Sequence, residues 1–187
     1  MHNRDAAWAL LTEYTQSESL RKHALAVEAA MLYYARINGI SGTDAEVWGN
    51  TGLLHDFDYE RWPDPPDHPT QGMAILERQG WPPEMVSAIG GHALYLNIPR
   101  ETLLARTLFA VDELCGFLTA CAYVKPSRKI ADVEAPSVRK KLKDKAFARS
   151  VSREDILLGA EELGVPLDEH IANCIAAMTE CSEALGL

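Results

Sequence analysis

Nothing in this chain approaches the roughly 18 consecutive apolar residues that would span a bilayer, and Met1-His2-Asn3-Arg4-Asp5 opens no signal-peptide pattern. These absences lead to the expectation of a cytoplasmic protein with no membrane partner. The four cysteines, Cys115, Cys121, Cys174 and Cys181, show no CxxC spacing, which favours reduced, packed thiols over a disulfide frame or zinc knuckle. β-Hairpin signals, internal repeats and low-complexity tracts are missing, so the expected fold class is all-α. Walker loops, dinucleotide fingerprints and nucleophile motifs are missing as well. Positive charge is scarce: 18 Lys and Arg stand against 27 Asp and Glu, and the net charge of −9 argues against nucleic acid as a partner.

What positive charge there is lies together. Residues 125 to 153 hold ten of the 18 Lys and Arg against three acids, a local +7 on a remainder of −16. The stretch reads either as a solvated helix face or as a surface for a phosphorylated small molecule. Arg139 and Lys143, four residues apart, are the pair expected to share a face, with Lys140 pointing elsewhere. An acidic partner or a second subunit could meet the same helix, so a homo-oligomer is left open.

At 187 residues and 47% hydrophobic composition, a single domain with a substantial core is the simplest organisation. Helical spacing recurs along it. The first helix spans Asp5 to Tyr14 around Trp8 and Leu11. A capping-box pattern at Thr15–Glu18 opens a second, ended by Gly39, with His23 on the apolar stripe of Leu20 and Val27. Another capping-box pattern at Thr43–Glu46 begins a helix that runs to His55, and Gly49 and Gly52 within it suggest close packing against the His23 helix. Residues 57 to 67, with four acids and three prolines, form a loop. His68-Pro69 opens the next helix, ended by Gly80. Trp81-Pro82-Pro83 starts another, which the paired Gly90-Gly91 should end or loosen beside His92. Between Pro99 and Pro126 lies the longest apolar helix, expected at the centre of the fold. Ser152 opens a helix to Leu163, and a last one runs from Leu167 to Leu185.

The chemistry-bearing residues sit on this frame. His55-Asp56 ends an apolar helix, where the plain alternative is a histidine answering the helix dipole and an aspartate starting a turn. Asp112 falls among the apolar residues of the central helix, where an ionised carboxylate needs a cation or hydrogen-bond partners. Imidazoles and carboxylates together suit iron, manganese, zinc, cobalt or nickel, with magnesium a further candidate. His23, His55, Asp56 and Asp112 could hold one such ion with open positions for water and substrate.

In this order, a His on one helix, a His-Asp pair ending a later one and an Asp on a long helix beyond it, the sequence resembles the HD superfamily of metal-dependent phosphohydrolases. The resemblance covers about residues 20 to 120. It implies an HD-domain-like helical bundle, with a metal-binding core of about 17–124 and a helical extension over 125–187. It also implies that His68 and His92 hold a second ion and that Asp56 bridges the two. The implied activity is hydrolysis of a phosphate ester or phosphoanhydride of a small molecule, nucleotides included. A di-iron oxygenase and a non-catalytic metal- or nucleotide-binding module stay open as alternatives.

The chain departs from a common continuation of the family, Gly and Lys shortly after the pair, by carrying Phe57-Asp58-Tyr59-Glu60. Arg61, or Arg139 and Lys143 from the basic stretch, would have to supply the missing cation. Asp56, Asp58 and Glu60 are the candidate catalytic carboxylates. For Asp58 and Glu60 the plain alternative is a solvated acidic loop.

Overall fold

The computed structural model describes residues 2–187. Among them ten α-helices and two single 3-10 turns occur, with no strand, so the chain is all-α. They are α1 (Arg4–Tyr14), α2 (Glu18–Ile37), α3 (Gly42–Leu54), α4 (Asp67–Gln79), α5 (Pro83–His92), α6 (Leu103–Tyr123), α7 (Ala135–Leu142), α8 (Arg153–Leu163), α9 (Leu167–Glu180) and α10 (Ser182–Leu185). No helix among the described residues is long and apolar enough to cross a membrane.

α6 is the axis of the molecule. Its buried residues, from Leu104 through Leu108, Val111, Leu114 and Phe117 to Cys121, lie all round its circumference, as expected of a helix enclosed by others. α2, α5, α8 and α9 pack against it. The approach of α2 to α3 depends on glycine: a Cβ on Gly52 would stand 2.9 Å from the backbone of Val27 and Glu28, and one on Gly49 would stand 3.0 Å from Leu32 Cδ2. The close packing expected from these two glycines is therefore present. It brings the end of α3, and with it His55, against the face of α2 that carries His23.

The C-terminal helices belong to the same apolar core rather than forming an appendage. α8 lies so near α6 that a Cβ on Gly159 would meet Ala110 Cα at 2.6 Å. In α9, buried His170 joins three elements: its Nε2 donates to the Ala110 carbonyl (2.9 Å), and its Nδ1 accepts from the Tyr34 hydroxyl (2.6 Å). The cysteines are all free; Cys115, Cys121 and Cys174 are buried.

Several local expectations are corrected. The N-cap of α2 is Ser17, whose side chain accepts from Leu20 N–H, because the Thr15 hydroxyl is taken by the Phe57 carbonyl at 2.9 Å. α3 starts after Ser41 without a side-chain cap, and Glu46 instead accepts from the backbone N–H of Arg4. Gly90 and Gly91 stay inside α5, which runs on to His92. A Cβ at Gly90 would collide with Ile98 (2.6 Å) and Met73 (2.8 Å), so that glycine serves packing rather than termination. The last helix breaks at Cys181 into α9 and α10.

Candidate metal centre

Helix ends deliver most of the potential ligands. His55 follows α3 directly, and its Nδ1 donates to the Gly52 carbonyl three residues back at 2.8 Å. His92 closes α5 in the same way, with Nδ1 on the Ile89 carbonyl at 2.5 Å. Each ring thereby satisfies a carbonyl of a last helical turn. At the start of α4 the backbone of His68 is extended (φ −79°, ψ 133°), and its Nδ1 meets Asp58 Oδ1 at 2.7 Å. Those acceptors place the Nδ1 proton of all three rings and leave each Nε2 free to face inward. His23 and Asp112 come from within α2 and α6.

The inward atoms converge on two carboxylates. Asp112 Oδ1 lies 2.9 Å from His23 Nε2 and 3.2 Å from His55 Nε2. Asp56 faces two ways: Oδ2 is 3.4 Å from His55 Nε2, while Oδ1 is 3.3 Å from the Nε2 atoms of both His68 and His92. Two groups result, His23, His55, Asp56 and Asp112 in one and Asp56, His68 and His92 in the other, with potential ligand atoms within 4.8 Å of one another in each. Asp56 is common to both. Either group is placed to hold a metal ion.

A specific atom tests the fit. His55 Nε2 is buried and makes no hydrogen bond, although a buried ring nitrogen normally finds a partner. Its neighbours at 3.2 and 3.4 Å are carboxylate oxygens, at and beyond the long end of the hydrogen-bond range. Two ligands each about 2.1 Å from a shared ion stand roughly 3.0–3.4 Å apart at octahedral to tetrahedral angles. These residues fit a cation between them.

Electrostatics agree. Burial opposes charging the His55 ring, but Asp56 and Asp112 outweigh it and hold its pKa well above the usual histidine value. For His68 burial again opposes the cation, and Asp56 and Asp58 carry the pKa up to about 9. Asp56 and Asp112 resist burial and stay ionised well below the normal carboxylate range, chiefly because of His55. Without a metal, protons supply the positive charge that the carboxylates require.

The structure brings His23, His55, Asp56, His68, His92 and Asp112 together; the other candidates lie elsewhere or act differently. Asp58 is fully buried, so the solvated-loop alternative fails for it, and its oxygens are engaged by His68 Nδ1 and by Gly72 N–H (2.7 Å). Asp58 thereby fixes the orientation of the His68 ring. Glu60 is exposed and accepts from the backbone N–H groups of Gln16 and Ser17 at 2.5 and 3.0 Å, fixing the turn before α2. Arg61 donates to the Glu13 carbonyl at 2.6 Å and lies over Tyr14. Arg139 pairs with Asp168 at 3.0 Å.

Arg139, Lys140 and Lys143 line one surface cavity of about 290 Å³ with Pro136 and Asp168, and none of the clustered histidines contributes to it. Lys140 therefore shares the face it was expected to leave, since residues 136, 139, 140 and 143 form one helical stripe. Other neighbours of the centre carried no sequence signal. Tyr95 OH donates to the His68 carbonyl, and the Tyr59 ring packs edge-on to His68 at 5.2 Å. Arg100, held by Glu162 at 2.6 and 2.7 Å, donates to the Gly91 carbonyl beside His92 at 2.9 Å.

Comparison of the chain with protein-family models, with curated proteins and with solved structures gives no match.

Proposed function

We propose that this chain is a metal-dependent phosphohydrolase with two ions sharing Asp56, acting on a phosphate ester or phosphoanhydride of a small molecule. The observation that carries the reading is the buried, unpartnered Nε2 of His55 facing two carboxylates, one of which turns its second oxygen to His68 and His92. The ordered resemblance to the HD superfamily supports the same reaction class. Bound divalent ions would supply Lewis acidity and a water of lowered pKa.

This chain's residues would act as follows. His23, His55 and Asp112 hold the first position, and His68 and His92 hold the second. Asp56 would contribute to both. Asp58 keeps the His68 ring in the tautomer whose Nε2 can ligate, an outer-shell arrangement that tunes metal sites. Hydrolysis forms a P–O bond from water as the bond to the leaving oxygen breaks, and the proton that water gives up ends on the leaving group.

The test is phosphate release from a panel of phosphomonoesters and phosphoanhydrides by protein reconstituted separately with manganese, iron, zinc, cobalt, nickel and magnesium. Release with more than one of these ions, abolished in His55→Ala, is the expected result. O₂ consumption with iron alone and no phosphate release with any ion would replace hydrolysis by oxygenation.

A further inference from the structure

We infer that a small pocket between α2, α6 and the C-terminal residues Leu185 and Leu187 seats the organic part of the substrate, and that this part is a short aliphatic group rather than a nucleoside. The inference rests on the phosphohydrolase reading. The pocket holds about 120 Å³ and His23 forms part of its wall. From α6 it takes Gly116, Thr119 and Tyr123, which follow Asp112 at spacings of four, three and four and so share its face. It begins one turn beyond the His23–Asp112 pair.

Access favours this side. The side chains of His23, Asp56 and Asp112 keep 22%, 22% and 17% of their surface exposed, against 0%, 9% and 7% for His55, His68 and His92. The His23–Asp112 side of the centre, beside the pocket, is therefore open to solvent.

Size and chemistry restrict the occupant. A volume of about 120 Å³ is well below the roughly 300 Å³ at which pockets for drug-sized ligands begin. Part of the room comes from Gly116: a Cβ there would find only His23 Cε1, at 4.0 Å. Leu185, Leu187 and Tyr123 give apolar walls, and no Asp or Glu side chain lines the space. Lys22 is its one Lys or Arg, tied at 2.7 Å to the exposed Glu18. Such a surface pair is weak, so Lys22 can turn to a phosphate oxygen, the task expected of Arg61, Arg139 and Lys143.

Calorimetric titration of the manganese-loaded protein with methyl-, propyl-, octyl- and adenosine-5′-phosphonate tests this without turnover. Propylphosphonate should bind about tenfold more tightly than methylphosphonate, from two buried methylenes. Octylphosphonate should add nothing further, and the adenosine compound should bind at least tenfold more weakly than propyl. Gly116→Val should remove the propyl advantage and leave methylphosphonate within twofold. If that variant fails to fold or to take up manganese, Thr119→Met on the same face serves for the same comparison. Equal binding of methyl and propyl, preference for adenosine, an equal loss of both alkyl compounds in the variant, or no binding at all overturns the pocket. Phosphate release judges the other reading separately: release with no chain-length dependence in the titration keeps the hydrolase and sinks the pocket. The expected binding pattern with no ester hydrolysed does the reverse.

Discussion

Asp58 touches no ion in this account, yet changing it should remove one. Asp58→Asn keeps the volume but cannot accept from both His68 Nδ1 and Gly72 N–H, so the His68 ring loses its fixed orientation. Affinity for the second ion should fall 10–100-fold while the first is retained, measured by competition with a chelator; equal loss of both ions would show that Asp58 supports the whole pocket. The pH dependence also belongs to single residues. His68 titrates at about 9 in the metal-free fold against about 6.5 unfolded. Its contribution is therefore complete below about pH 6.5 and disappears as pH rises through 9. Metal must displace that proton, so metal affinity should rise over the same window. Thermal melts of chelated and manganese-loaded protein from pH 6 to 9 should diverge, the chelated form losing stability and the gap widening. A constant gap would contradict protonation of His68 in the metal-free state.

Between elements, the glycines make opposite predictions. Gly52→Ala drives a methyl into the backbone of Val27 and Glu28 at 2.9 Å, separating α2 from α3 and so His23 from His55. Overpacking of this kind costs about 1–3 kcal/mol, and urea denaturation should show it together with weaker metal binding. Gly116→Ala meets only His23 Cε1 at 4.0 Å and should be neutral or stabilising by up to about 1 kcal/mol. The helices could be read from the sequence because apolar spacing and turn residues are local signals, and His23, His55, Asp56 and Asp112 stood out by their places on them; His68 and His92 joined the set through the family resemblance. The rest depended on tertiary partners. Thr15 is no cap because Phe57 offers it a carbonyl. Asp58 is buried because α4 returns Gly72 and His68 to it, which an acidic, proline-bearing stretch does not reveal. Arg139 turns toward Asp168, 29 residues on, a destination set by how α7 meets α9. Lys140 joins Arg139 and Lys143 for a local reason: residues 136, 139, 140 and 143, at spacings of three, one and three, form a single stripe.

For the molecule as a whole, the centre joins α2, α6 and the ends of α3 and α5 to the start of α4, so an ion there ties together much of the bundle. Metal at 100 times its dissociation constant should stabilise the fold by about 2.7 kcal/mol. At roughly 2–4 °C per kcal/mol for a chain of this size, chelation should lower the Tm by roughly 5–10 °C, and re-addition should restore it. An unchanged melt would mean that the histidines and aspartates are already satisfied by protons alone. The most direct test of the shared centre is elemental analysis of protein purified without added metal or chelator, then repeated after reconstitution. A shared centre should give about two ions in the parent, about one in His68→Ala and nearly none in His55→Ala. A single ion in the parent that survives His68→Ala, or no ion in any form, would contradict it.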